Sequence, residues 1–181
     1  GEWEVINLSS LTNLYVGKSF SNNIKKNGKY IVMDMGSISS DGEKLIHKRT
    51  NLKRDILQKN DLVMPKDDIG GGNIIGKTAY IDANNKYVLG DHVFRLRFHE
   101  VKGMYMHYMI NSPTINRRIK RKVSGSAQLG IGAKNVLSTY VYLPKSIKEQ
   151  QKIGKFFKLL DDRIANQEKK IAKVKALKEA Y

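Results

Sequence analysis

The chain has 181 residues, enough for one well-cored domain with an appendage, and its 33 Lys+Arg against 17 Asp+Glu give a formal net charge of +16. Such an excess points to a polyanionic partner, nucleic acid first and an anionic membrane surface second. With no cysteine, disulfides and thiolate zinc sites are excluded, and no apolar run approaches the roughly 20 residues of a membrane span.

In chain order, the opening Gly1-Glu2-Trp3-Glu4-Val5 carries neither an initiator Met nor a signal peptide, which marks the chain as an expected fragment of something longer. From there to about Pro144 the sequence reads as short strands separated by turns. Tyr30-Ile31-Val32-Met33 is an apolar run ending in the turn-rich stretch Asp34 to Gly42, and Asp61-Leu62-Val63-Met64 is another, stopped by Pro65. The period is two in Val93 to Phe98, with Phe94, Leu96 and Phe98 expected to face the core and Val93, Arg95 and Arg97 to face water or a partner. Ala79 to Val88 reads as a hairpin turning at Asn84-Asn85. Helices are expected near Met104–Ile110 and from Thr114 towards Arg121, and Leu137 to Leu143 reads as a last strand. Between Val101 and Lys148 there is no carboxylate, although Lys102, Arg117, Arg118, Lys120, Arg121, Lys122, Lys134, Lys145 and Lys148 lie there.

After Pro144 the pattern changes. Ser146 with Glu149 three residues on forms a capping-box arrangement, and no proline follows. Apolar residues fall in two heptad rows, Phe157, Ile164 and Ile171 in one, Ile153, Leu160 and Val174 in the other, the seam of a coiled coil. Some 35 helical residues would extend about 50 Å, more than so small a domain can cover. The expected fold is therefore α+β: a β-rich domain with a few short helices over residues 1–144, then one long C-terminal coiled-coil helix over 145–181.

Residues Gly71 to Thr78, GGNIIGKT, satisfy the phosphate-loop pattern G-x-x-x-x-G-K-[ST]. A working phosphate loop needs a helix after its Lys-Thr, so that N–H groups converge on the anion. Here β-favouring residues follow, and Asp67 and Asp68 precede it. The alternatives are a nucleotide-binding protein, an ordinary glycine-rich turn with Lys77 exposed, or a loop meeting DNA phosphates. Other catalytic patterns are missing. There is no Asp/Asn-Pro-Pro-aromatic tetrapeptide, Gly130-Ile131-Gly132 lacks a third glycine, the four histidines show no ligand spacing, and Asp161, Glu168 and Lys170 fit a solvated helix face.

The order of features resembles the specificity (S) subunit of type I restriction–modification systems. The likeness rests on Trp3-Glu4 with Leu8, Gly17-Lys18-Ser19, Asp34-Met35-Gly36-Ser37-Ile38 and Lys59-Asn60-Asp61-Leu62-Val63. Most telling is Leu143-Pro144, then Lys148-Glu149-Gln150-Gln151-Lys152-Ile153 and Phe156 to Ile164, which looks like the junction between a target recognition domain and the spacer helix. The resemblance implies a non-catalytic chain in the prokaryotic cytoplasm, at the nucleoid. It would bind double-stranded DNA and hold no cofactor itself. Methyltransferase (M) subunits would bring S-adenosylmethionine and methylate adenine, and a restriction (R) subunit would bring ATP and Mg. A whole S subunit carries two recognition domains, so this chain corresponds to half of one and is expected to pair with a second copy or half-subunit through its helix.

On that reading phosphate contacts position the protein and base-edge contacts specify sequence. Arg117, Arg118, Lys120, Arg121 and Lys122 are the expected positioning set. The small-residue stretch Ser124 to Asn135 is the expected reading loop, contributing Ser126, with Gln128 and Asn135 suited to adenine and Lys134 to guanine. Lys18, Ser19 and Lys77 are secondary candidates, and Ile153, Phe157, Leu160, Ile164, Ile171 and Val174 are the expected helix-pairing surface.

Overall fold

The structure is a computed structural model that describes residues 1–126 and 128–179; Ala127 and residues 180–181, which belong to the expected reading loop and helix, lie outside it. Among the described residues, eleven strands and four α-helices follow in this order: β1 (Trp3–Asn7), β2 (Leu14–Val16), β3 (Tyr30–Met33), β4 (Lys48–Thr50), β5 (Leu62–Pro65), β6 (Asp67–Asp68), β7 (Ala79–Tyr80), β8 (Tyr87–Leu89), β9 (Val93–Leu96), α1 (Gly103–Asn111), α2 (Pro113–Lys120), β10 (Leu129–Gly130), α3 (Ala133–Leu137), β11 (Tyr140–Pro144) and α4 (Ile147–Glu179).

Two small sheets form the centre, one ordered β2-β9-β5-β7 and the other β4-β3-β8. The alternation of side chains sorts the apolar residues between layers. Leu62 and Met64 of β5 and Phe94 and Leu96 of β9 point to a core closed by α1, α2 and the β1–β11 ribbon. Val63 and Val93 point the other way, into a second core shared with Ile31, Met33, Tyr87 and Leu89. Tyr30, Val32 and Val88 close a small third cluster with Phe20 on the outer side of the second sheet. Val93 therefore does not face water, because a second sheet covers that end of β9. Arg95 and Arg97 share its face but are only partly buried.

Two further expectations need correction. β7 pairs with β5 while β8 runs parallel to β3, so the Asn84-Asn85 turn, with Asn85 at φ 55, carries the chain between sheets and closes no hairpin. Leu137 ends the short helix α3 rather than opening a strand, and β11 begins at Tyr140.

The two helices before the ridge of cations form as the sequence suggests. Ser112 caps α2 by accepting from the Ile115 N–H at 3.5 Å, with Pro113 at the first helical position, where a missing N–H costs nothing. The long helix α4 starts with the Glu149 N–H donating to Ser146 Oγ at 3.4 Å. Its first half lies along α1. Buried Gln150 donates to the Pro144 carbonyl at 2.9 Å and accepts from the Lys102 N–H at 2.9 Å, tying the helix to β11 and to the start of α1. At Gly154 the helices come so close that a Cβ would lie 3.1 Å from Tyr105 N. The Tyr108 hydroxyl donates to Asp161 at 2.6 Å, and its ring sits 5.3 Å from that of Phe157.

Beyond Ala165 every described residue of α4 is exposed. That free half is about 14 residues, roughly 21 Å. The expected pairing rows divide accordingly. Ile153 packs on the domain core and so docks the helix within the chain, whereas Phe157 touches Tyr108 but is still 43% exposed. Ile164, Ile171 and Val174 remain exposed, joined by Phe156, Leu159 and Leu177, with Leu160 half-buried. At 100° per residue this stripe lies roughly a third of a turn around α4 from the docked face. No helix among the described residues is long and apolar enough to cross a membrane.

Candidate nucleic-acid interface

Helix α2 turns Ile115, Asn116 and Ile119 inward, where all three are buried, and so presents Arg117, Arg118, Lys120 and Arg121 outward. Its inner side locks onto the glycine-rich loop. The Asn116 amide donates to the Gly76 carbonyl at 2.9 Å, and Gly76 has φ +74 with Ile119 so close that a Cβ would stand 2.7 Å from its Cγ2. Only glycine meets both demands.

The cations of this ridge differ in what holds them. Arg117 and Arg121 are exposed. Arg118 donates to the Tyr140 carbonyl at 3.2 Å and the Tyr142 hydroxyl at 2.8 Å while stacking on the Tyr142 ring. Lys120 reaches the Asn73 carbonyl at 3.1 Å. Lys122 donates to the Asn135 carbonyl, Ser138 Oγ and Thr139 Oγ1 at 3.0, 2.9 and 3.1 Å, and burial pushes its pKa down. These acceptors are neutral, so they fix position without cancelling charge. Among the described residues none of the five forms a salt bridge.

Lys77 is half-buried, and its ammonium is pushed below the usual lysine range by that burial and then by the neighbouring Lys120. The phosphate-loop arrangement is not built around it. Strand β7 follows Thr78 where a helix would be required. Thr78 is buried, its N–H donates to Asn111 Oδ1 at 2.8 Å, and its hydroxyl lies 3.1 Å from His107 Nδ1. That hydroxyl is therefore occupied and cannot serve a nucleotide-bound metal.

The two carboxylates before the loop are also engaged. Asp68 caps the glycine turn, accepting from the Gly70 and Ile74 N–H groups at 2.6 and 3.3 Å. Burial raises the Asp67 pKa, but bonds from Lys66 at 2.5 Å and His92 at 2.7 Å outweigh it and hold the carboxyl below the usual range.

The antiparallel ribbon β6–β10, pairing Asp68 with Leu129 and Asp67 with Gly130, sets the segment after α2 beside the glycine loop. Ser124 and Gly130 exchange N–H···O bonds of 3.0 and 2.8 Å, which close a tight loop with Gly125 at φ +116. Ser126 and Gln128 stand exposed near its tip. Ile69 projects from the adjacent loop with 72% of its surface exposed, a position the sequence reading missed because only the ribbon pairing brings it here. Lys18 and Ser19 follow β2 at the same end of the sheet, where Gly17 bonds to Val93 and Lys66 to His92, and the Arg54 guanidinium fixes both through their carbonyls.

Lys134 and Asn135 do not belong to the reading loop. They ride on α3, Lys134 exposed and the Asn135 amide donating to the Lys122 carbonyl at 3.4 Å, so its adenine-pairing groups are partly engaged at the end of α2. The ridge thus brings Arg117, Arg121, Lys120 and Lys77 together with two small-residue loops, and leaves Lys134 and Asn135 to one side. Such a surface offers exposed cations and close backbone approach. It can bind a polyanion.

A profile described as the type I restriction modification DNA specificity domain matches residues 1–176. The chain belongs to this family of type I restriction modification DNA specificity domains. Its fold resembles the type I restriction-modification S subunit from M. genitalium, with a TM-score of 0.70 at 19% identity over 91% of this chain and 40% of that one. It also resembles the HsdS subunit from Thermoanaerobacter tengcongensis, at 0.61 and 15% over 91% and 38%. A third chain, from a study of assembly and conformational transition of the type I R-M system, matches at 0.68 and 14% over 96% and 42%. The chain therefore spans about two-fifths of the length of these structures. No curated protein sequence matches it.

Proposed function

We propose that this chain reads one part of a split duplex target, using the α2 ridge to grip phosphates and the loop of residues 124–130 to reach base edges. The observation that supports the reading is the set of cations on and beside α2, none of which forms a salt bridge among the described residues, joined by the β6–β10 ribbon to two small-residue loops. Arg117 and Arg121 hold phosphate oxygens, with Lys77 and Lys120 extending the track along the glycine-rich loop. Gln128 and Ser126 are the base readers. The exposed stripe of α4 pairs with a second copy or half-subunit and offers a seat for methyltransferase subunits. Those bring S-adenosylmethionine, while restriction subunits bring ATP and Mg.

The test is duplex binding at several salt concentrations. Replacing Arg117 and Arg121 together by Ala should weaken binding to all sequences and flatten the log–log salt slope by about 2. An unchanged slope removes α2 from the interface. Gln128→Ala should relax sequence preference by roughly 1–3 kcal/mol at one position while leaving the slope intact.

A further inference from the structure

Strand β9 carries two arginines on one face, and their surroundings differ. Arg97 donates to both oxygens of buried Asp61, Nε and Nη2 each at 2.7 Å, so its charge is matched. Arg95, two residues earlier, is also partly buried, but among the described residues it forms no salt bridge and no side-chain hydrogen bond. Its Nε is fully enclosed and has no acceptor, and its guanidinium lies 5.0 Å over the Tyr15 ring, which holds one face of the plane. The enclosed Nε is itself out of a ligand's reach, but the two terminal nitrogens are not enclosed and, among the described residues, donate to nothing, so the guanidinium is left to meet an anion through them.

Arg95 lines a cleft of about 550 Å³ together with Ser9, Ser10, Asn13, Arg97 and His99. Ser9, Ser10 and Asn13 are exposed, and their side chains make no hydrogen bond among the described residues. They are donors in waiting. Glu100 is the single carboxylate of the lining and is itself exposed. A planar guanidinium flanked by hydroxyls and an amide matches the several oxygens of a tetrahedral anion better than one carboxylate.

We propose that this cleft is a phosphate-binding site, separate from the α2 ridge, in which Arg95 is the anchoring group and Ser9, Ser10 and Asn13 complete the shell. The phosphate comes either from the DNA backbone, in which case the site extends the interface proposed above and rests on that reading, or from a free phosphate or nucleotide, in which case it stands alone.

The experiment uses the full chain and two readouts. The first is the melting temperature during titration with inorganic phosphate, against chloride at equal ionic strength. Phosphate should raise it in the wild type and not in Arg95→Gln. Ser9→Ala with Ser10→Ala, two exposed changes that spare the strand, should reduce the effect and guards against a folding defect in the arginine variant. The second is the salt slope of duplex binding. A loss of about 0.9 in Arg95→Gln assigns the phosphate to DNA, whereas an unchanged slope with phosphate protection retained in the wild type assigns it to a small ligand. If phosphate protects neither better than chloride, or protects wild type and Arg95→Gln alike, and the slope is unchanged, the proposal is overturned. A chain that binds no duplex at all still answers the first readout, which separates this site from the α2 reading.

Discussion

The domain and the free half of α4 are built from similar fractions of apolar residues but treat them in opposite ways. In the domain, Leu8, Leu62, Met64, Ile75, Met106, Ile115 and Ile119 have no solvent exposure, each enclosed by neighbours from the same chain. In the free half of the helix, Ile171, Val174 and Leu177 are 54, 64 and 53% exposed. The difference teaches that the domain covers its own apolar residues, while those of the distal helix are left uncovered by the described residues of this chain. An isolated helix of about 14 residues is marginal in water.

This contrast can be broken or sharpened at four places. The largest effect is expected at Asp61, which is 1% exposed, neutralises Arg97 and caps the Gln58 N–H at 2.8 Å. Asp61→Ala should destabilise the domain by about 3–5 kcal/mol in urea unfolding, because it leaves a partly buried guanidinium unmatched. Next comes acid. Burial lowers the His107 pKa from 6.5 to about 4. The unfolded chain therefore takes up this proton before the folded one does. Stability from this group is whole above pH 6.5 and declines as pH falls towards 4, by about 3 kcal/mol in total. Unfolding measured across that range should show the decline, and His107→Gln should remove its share.

Third, Gly154→Val pushes a branched side chain against Tyr105 and Met104. It should cost about 1–3 kcal/mol and release the first half of α4, seen as protease cleavage after Lys155 or Lys158. A loss as large as that of Asp61→Ala would mean that the helix is part of the core after all. The smallest effect is expected from Ile171→Asp with Val174→Asp, which should leave domain unfolding within about 0.5 kcal/mol of wild type. In sedimentation it should abolish self-association of the chain, and a wild type that is monomeric at high concentration would remove self-pairing from the account.

What the sequence revealed follows from which signals are local. The helices α1 and α2 were expected near Met104–Ile110 and from Thr114 towards Arg121, where they lie, and α4 was legible from its long, proline-free heptads. Val93 was misplaced because alternation assigns faces but cannot say that a second sheet covers one of them. The Asn84-Asn85 turn was correctly a turn, yet its strands found partners far away, Leu62 and Val63 for one and Ile31 to Met33 for the other. Heptad rows likewise record apolar positions without naming what covers them, which is why Ile153 reads as a seam residue although it packs on its own domain. In the candidate interface the cations were visible as a carboxylate-free run. The separation of Lys134 and Asn135 from Gln128 was not, because a five-residue helix such as α3 leaves little periodic trace. The acceptorless state of Arg95 has no sequence signature at all.

The clamp between α1 and α4 has one more consequence. With Gln150, Gly154 and Tyr108 fixing the helix over several turns, the angle at which the rod leaves the reading head is inherited from the domain and not left to a hinge. Each residue added to or removed from the rod beyond Ala165 would advance its tip by 1.5 Å and swing the apolar stripe by about 100°. The molecule therefore behaves as a protractor as well as a ruler: whatever grips the far end is held at a defined bearing and distance from the surface proposed to face DNA.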